Sequence, residues 1–184
     1  MNSPLSPIPA VTTPASATIA QHVEPSQFRS LMTTFPTGVA IVTTGEAEEG
    51  LAGLTVSSVS SVSLEPPVLL VCLHKNSNTL KSLLRRCTFA VNLLHDGAGE
   101  TAKLFASGDQ GRFKKVEWEY GPEFGGPHLV NDAHSIADCR ISHTLSMGDH
   151  HVVFGEVFRV EQQSLERVRP LLYGMRRFFS WPAA

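Results

Sequence analysis

The chain has 184 residues, 42% of them hydrophobic and 17% charged, with a formal net charge of −2. That length suits one domain, since domains run to roughly 100–200 residues, and the charge balance supplies no basic footprint for nucleic acid. Cys72, Cys87 and Cys139 are odd in number and widely spaced, which argues against a disulfide framework and for a reducing cytoplasm; no apolar run nears the ~20 residues of a membrane span, and nothing before Arg29 reads as a secretory signal.

Residues 1–24 are rich in Pro, Ser, Thr and Ala without a sustained period and read as a flexible arm, either without a role or laid across a partner subunit. The domain is expected over residues 25–184. Phe28, Leu31, Met32 and Phe35 recur at the spacing of one helix face; Pro25 suits the first turn and Pro36 stops the helix. Val39–Thr44 is a β-branched strand, and Leu51–Leu54 returns as its hairpin partner. The continuous apolar run Pro67–Leu73 predicts a strand covered on both faces. Ser77 caps a short helix, Thr88–Leu94 forms a strand, and Gly99–Ala106 forms an amphipathic helix. Residues 107–134, polar and Gly-rich, predict a long loop with one short strand. Two long strands, about Ser135–Ser146 and His150–Gln162, are joined by the tight turn Met147-Gly148-Asp149. Residues 164–179 begin helix-like and break at Gly174. Many strands, few short helices and no βαβ alternation predict a mainly β fold, an antiparallel barrel.

Chemistry is concentrated in Thr55–Ser63, where five of nine residues are serine and none is charged. Such a stretch either links elements or offers neutral hydroxyls and N–H groups to a ring with imide edges; leading directly into an apolar strand, it favours the second reading. Ser77-Asn78-Thr79 opens a helix after a strand, which suits either plain capping or a phosphate. The eight histidines show no metal-ligand spacing, so no metal site is expected. Alternation puts His150 and His151 on opposite strand faces. Neither a G-x-S-x-G nor a G-x-G-x-x-G occurs, so any dinucleotide binds without a Rossmann site.

Seven segments, FRSLMTTFPTGVAIVTT, GLTVSSVSSVSLEPPVLLVCL, NSNTLKSL, FAVNLL, LFAS, GDHHVVFGEV and PLLYG, resemble in their order the short-chain flavin reductases, the reductase components of two-component flavin-dependent monooxygenases. The resemblance implies a split β-barrel of Greek-key, FMN-binding type with a few short helices, a homodimer, and flavin at the subunit boundary. It places Pro36, Thr37, Gly38, Thr55, Val56, Ser57 and Ser58 near the isoalloxazine. Ser61, Val62, Ser63, Cys72 and Leu73 would line the flavin site, with Ser77, Asn78 and Thr79 near phosphate. Phe89, Ala90, Asn92, Phe105 and Ala106 would close the pocket. His150, in the G-D-H motif, would be the nicotinamide contact and Tyr173 would help cover that site. Two stretches depart from the family pattern: Gly111–Lys115, where an Asp-Lys-Phe type motif is expected, and the Arg176-Arg177-Phe178-Phe179 run.

The chemistry implied is hydride transfer from NADH, alternatively NADPH, to FAD, alternatively FMN, with reduced flavin diffusing to a partner monooxygenase. Two other readings stay open: a pyridoxamine-phosphate-oxidase-like enzyme on a related barrel, and a non-catalytic flavin- or haem-binding split-barrel protein with His150 as axial ligand. Arg167, Arg169, Arg176 and Arg177 are either solvated or positioned for a 2′-phosphate.

Overall fold

The computed structural model describes residues 22–46, 50–163 and 168–181; most of the expected arm, residues 1–21, lies outside them. The chain divides into two units, residues 1–32 and 33–184. In the first, the predicted helix is present as α1 (Pro25–Thr33), and its apolar residues Phe28, Leu31 and Met32 are exposed.

The second unit is built on antiparallel strands. β2 (Ala40–Thr44), β3 (Ala52–Val56), β4 (Ser60–Leu64), β5 (Pro67–His74), β6 (Thr88–Leu94), β7 (Ala133–Met147) and β8 (His150–Gln162) form one sheet in the order β3-β2-β6-β7-β8-β5-β4. β1 (Thr37–Gly38), β9 (Leu171–Gly174) and β10 (Arg177–Ser180) form a second, with β9 central. The large sheet curls around Val42, Val71, Leu73, Phe89, Val91, Cys139 and Val153, and α2 (Asn78–Arg86) plugs this interior with Leu80 and Leu83. β3 and β5 share no ladder; Ser58, just beyond β3, bridges them, its hydroxyl accepting from Cys72 N–H and donating to Cys72 C=O, each at 3.1 Å. The barrel is therefore split, and a side chain spans the gap.

β2 is buried along its whole length because its other face is covered too. There Val39 and Ile41 pack under α3 (Gly99–Ala106), through Ala102 and Phe105, and against Leu129 and Leu171. Two apolar layers back to back explain why the run Val39–Thr44 carries no polar alternation. β5 differs. Its sequence predicts cover on both faces, yet Val68, Leu69 and Leu70 remain half-buried.

The structure departs from the sequence reading in three places. Residues 168–181 make a β-hairpin, while residues 164–167 of the helix-like start, Arg167 among them, lie outside the described residues: Pro170 and Gly174 leave only three residues between breakers, too few for a helix, and two of them, Leu172 and Tyr173, pair with Gly38 and Thr37. The serine-rich stretch divides into the end of β3, a turn, and the edge strand β4. The long loop holds no strand among its described residues, only a 3₁₀ turn over Arg112–Lys114 and an isolated bridge between Glu119 and His128.

Buried polar groups hold that loop to the sheet. Gly125 and Gly126 lie against the Phe89 and Thr43 carbonyls, closer than any Cβ would allow. Asp138, fully buried on β7, accepts from Gly125 N–H (2.8 Å), bonds His128 Nε2 (2.8 Å) and pairs with Arg159 (3.0 Å). Phe124 stacks on His128 at 3.9 Å and carries the Arg159 guanidinium on its ring at 4.4 Å.

Candidate active site

A groove of about 670 Å³ opens where β3, α3 and the C-terminal hairpin meet, lined by Val39, Thr55, Val56, Ser57, Lys103, Ala106, Tyr173, Arg176, Arg177 and Phe178. Its size lies within the roughly 300–1,000 Å³ of small-molecule sites. Each wall has a local cause. The Thr55 hydroxyl donates to Ala102 C=O at 2.7 Å, tying β3 to α3. Arg112 reinforces the joint, donating to Gly53 C=O (2.6 Å) and Asp109 C=O (2.6 Å). Phe113 packs edge-on against Phe105 at 5.1 Å. The hairpin is seated by the Val39 N–H bond to Leu171 C=O (3.0 Å) and by pairing of Thr37 with Tyr173; Tyr173 meets Phe178 at 5.3 Å.

From Ser57 the chain leads to the histidines. Ser58 is held to Cys72, two residues before His74, and His74 pairs with His150 across β5 and β8. The two imidazoles meet edge-on at 5.3 Å. His150 Nδ1 lies 2.7 Å from the Asp149 carboxylate, and this bond holds the Asp149 carboxyl below the usual carboxylate range. With Nδ1 donating, Nε2 is the free imidazole atom.

Aromatic and apolar side chains, hydroxyls and three cations in one groove are the donor set for a planar heterocycle bearing phosphate, so the residues fit a flavin nucleotide. The family described as "Flavin reductase like domain" matches residues 32–182. The chain belongs to the flavin reductase family. The flavin reductase (NADPH) of Lentzea aerocolonigenes is 43% identical over 160 residues, covering 87% of this chain and 92% of that protein. HsaB of Rhodococcus jostii, the reductase subunit of a flavin-dependent monooxygenase, is 34% identical, covering 85% and 78%. The structure of the NADH:FAD oxidoreductase SgcE6 of Streptomyces globisporus, in complex with NAD and FAD fragments, superposes with a TM-score of 0.79 at 32% identity, covering 89% of this chain and 98% of that one. The split barrel expected for the family is thus the fold of this member.

Of the residues expected at the flavin site, this flavin reductase brings Thr55, Val56, Ser57, Ala106 and Tyr173 into the groove lining. Ser58 and Cys72 stand directly behind it through their mutual hydrogen bonds. Pro36, Thr37 and Gly38 lie along the far side of β9, with Pro36 against Gly174. Ser61, Val62 and Ser63 lie on the edge strand β4. The Ser77 hydroxyl is engaged in capping, accepting from Thr79 and Leu80 N–H; Asn78 begins α2 and Thr79 is buried.

Five expected residues lie elsewhere. Leu73 and Phe89 belong to the barrel interior, Ala90 to a small cluster with Ala133 and Ile136, and Phe105 to the layer beneath α3. Asn92 is fully buried, its amide donating to Ile41 C=O and Thr43 Oγ1 and its oxygen accepting from Leu129 N–H. A buried amide must be satisfied, and β2 and the crossing loop together supply its partners. The groove residues that sequence reasoning left out are Val39, Lys103 and Phe178. Arg176 and Arg177 stood out as a paired run, but nothing local says that a hairpin turns them onto β3.

Proposed function

We propose that this protein is an NAD(P)H:flavin oxidoreductase that binds FAD or FMN in the groove under the C-terminal hairpin and passes reduced flavin to a partner monooxygenase. The observation that carries the reading is the groove lining, in which ring-compatible surface, hydroxyls and cations converge. A bound flavin supplies the hydride acceptor and a bound reduced nicotinamide the donor. The chain's own residues bind and orient. The Thr55 hydroxyl proton is given to Ala102 and that of Ser58 to Cys72, so these two position the wall, and the Ser57 hydroxyl is the donor left to meet a ligand. Tyr173 and Phe178 offer ring faces, and Lys103 with the two arginines offsets negative charge. His150, fixed by Asp149 and His74, orients the nicotinamide and transfers no proton.

Assay of NAD(P)H oxidation with free FAD or FMN tests the reading. Saturable, flavin-dependent turnover is expected; none with any nucleotide–flavin pair would refute it.

The working unit we propose is a homodimer in the cytoplasm. The half-open apolar strand β5 and the exposed Leu64, Phe158 and Val160 offer apolar surface that a second copy would cover. Sedimentation equilibrium should return twice the mass of the chain, and a monomer mass would reject the assembly. Among the described residues no helix is long and apolar enough to cross a membrane.

A further inference from the structure

We infer that the tip of the C-terminal hairpin is a phosphate clamp, in which Arg176 and Arg177, facing Lys103 across the groove, seat a phosphate of the entering nucleotide; this rests on the reductase reading of that groove. The lining holds three cations and no carboxylate, in a chain whose net charge is −2. Among the described residues Arg176 makes no ion pair. Arg177 is stacked on the Phe179 ring at 4.8 Å, which orients the guanidinium without neutralising it. Among the described residues Lys103 pairs with Glu100 alone, at 2.6 Å on an exposed helix face, and such a pair holds a side chain weakly. By contrast, the larger cavity of about 850 Å³ around Arg86, Arg140 and Arg159 includes Glu46 and Glu123 in its lining; Arg86 pairs with Glu46 there, and Arg159 with Asp138 and Glu161.

The backbone gives an independent reason. Gly174 pairs with Arg177, leaving Met175 and Arg176 as a two-residue turn with φ of 49° and 61°. Turns of this kind favour Asn and Gly, and non-glycine residues held in the left-handed region gather at functional sites. The surroundings fix the tip without a ligand. Met175 N–H donates to Thr33 C=O at 2.8 Å, and a Cβ on Gly174 would lie 3.2 Å from Pro36 Cβ, so the strand lies tight against that ring. A strained turn that points an unpaired arginine into a cationic groove is a preorganised anion site. Guanidinium forks match phosphate oxygens.

Three phosphate groups share this chemistry: that of the flavin, the diphosphate common to both nicotinamide dinucleotides, and the 2′-phosphate of NADPH. Fluorescence-quenching titration with riboflavin and FMN, and calorimetric titration with NAD⁺ and NADP⁺, separate them. The double variant Arg176→Ala/Arg177→Ala should lower the FMN-over-riboflavin preference, the NADP⁺-over-NAD⁺ preference or the affinity for both dinucleotides alike by about tenfold, the loss expected for charge-assisted bonds. The quantity that falls names the source. The double lysine variant should recover part of it. Arg176→Gly should raise the melting temperature, by freeing the turn, while weakening the same preference. Unchanged ratios and unchanged dinucleotide affinities in a folded alanine variant, with wild type binding flavin, would overturn the clamp alone. Wild type that neither binds flavin nor oxidises NAD(P)H would remove the reductase reading and the clamp with it.

Discussion

Asp138→Ala will destabilise the protein by about 2–5 kcal/mol, the range expected when two buried donors lose their acceptor. Asp138 is fully buried and receives three donors: Gly125 N–H, His128 Nε2 and the Arg159 guanidinium. Deleting the carboxylate leaves a buried amide and a buried imidazole unpaired, and each such group costs about 1–3 kcal/mol by itself. The same change releases the loop that Gly125 and Gly126 lay flat on the sheet, because Gly125 N–H and His128 Nε2 lose their acceptor on β7. Asp138→Asn keeps an acceptor oxygen and should cost less. Urea denaturation of both variants measures the effect; a loss below about 1 kcal/mol for alanine would mean that Asn92 and the packing of Phe124 hold the loop unaided.

In His150→Ala the KM for the nicotinamide should rise by about tenfold, some 1.4 kcal/mol, with the flavin Kd nearly unchanged. The side chain is held on two sides, by Asp149 at 2.7 Å and by the His74 ring at 5.3 Å. The exposed Asp149 pair alone would hold it weakly, but with the His74 ring on its other side the imidazole is biased toward one orientation, and its removal costs binding. His150→Gln should recover part of the loss if a hydrogen bond is what counts. Because the lowered pKa of Asp149 keeps its carboxylate ionised well into mild acid, Asp149→Asn should give a milder form of the same defect. A rise in the flavin Kd with the nicotinamide KM intact would reverse the assignment of His150.

Much of the architecture is legible along the chain because it depends on local order. α1, α2, α3 and the long pair β7–β8 lie where periodicity, the Ser77 cap and the Met147-Gly148-Asp149 turn put them. The serine-rich stretch drew attention to Thr55 and Ser57, which the groove does use. The Arg112 clamp was obscure, since a guanidinium bonding Gly53 C=O from 59 positions away leaves no pattern in sequence. Residues 168–179 were misread because their apolar spacing serves a helix and a hairpin equally well, and only pairing with Thr37 and Gly38 chooses between them.

What the sequence determined by itself was the mainly β class, the order of the elements and membership of a flavin reductase family, since these rest on short-range pattern and on ordered motifs. The tertiary structure alone decided which side chains face the groove. Phe89 and Asn92 stand in a motif that the family resemblance assigned to the pocket, yet they face the barrel interior and the crossing loop, whereas Lys103, Arg176 and Phe178 converge on Thr55 from distant segments. A strand's period of two says that neighbours point to opposite faces; which face meets a ligand depends on what α3 and the hairpin bring against it.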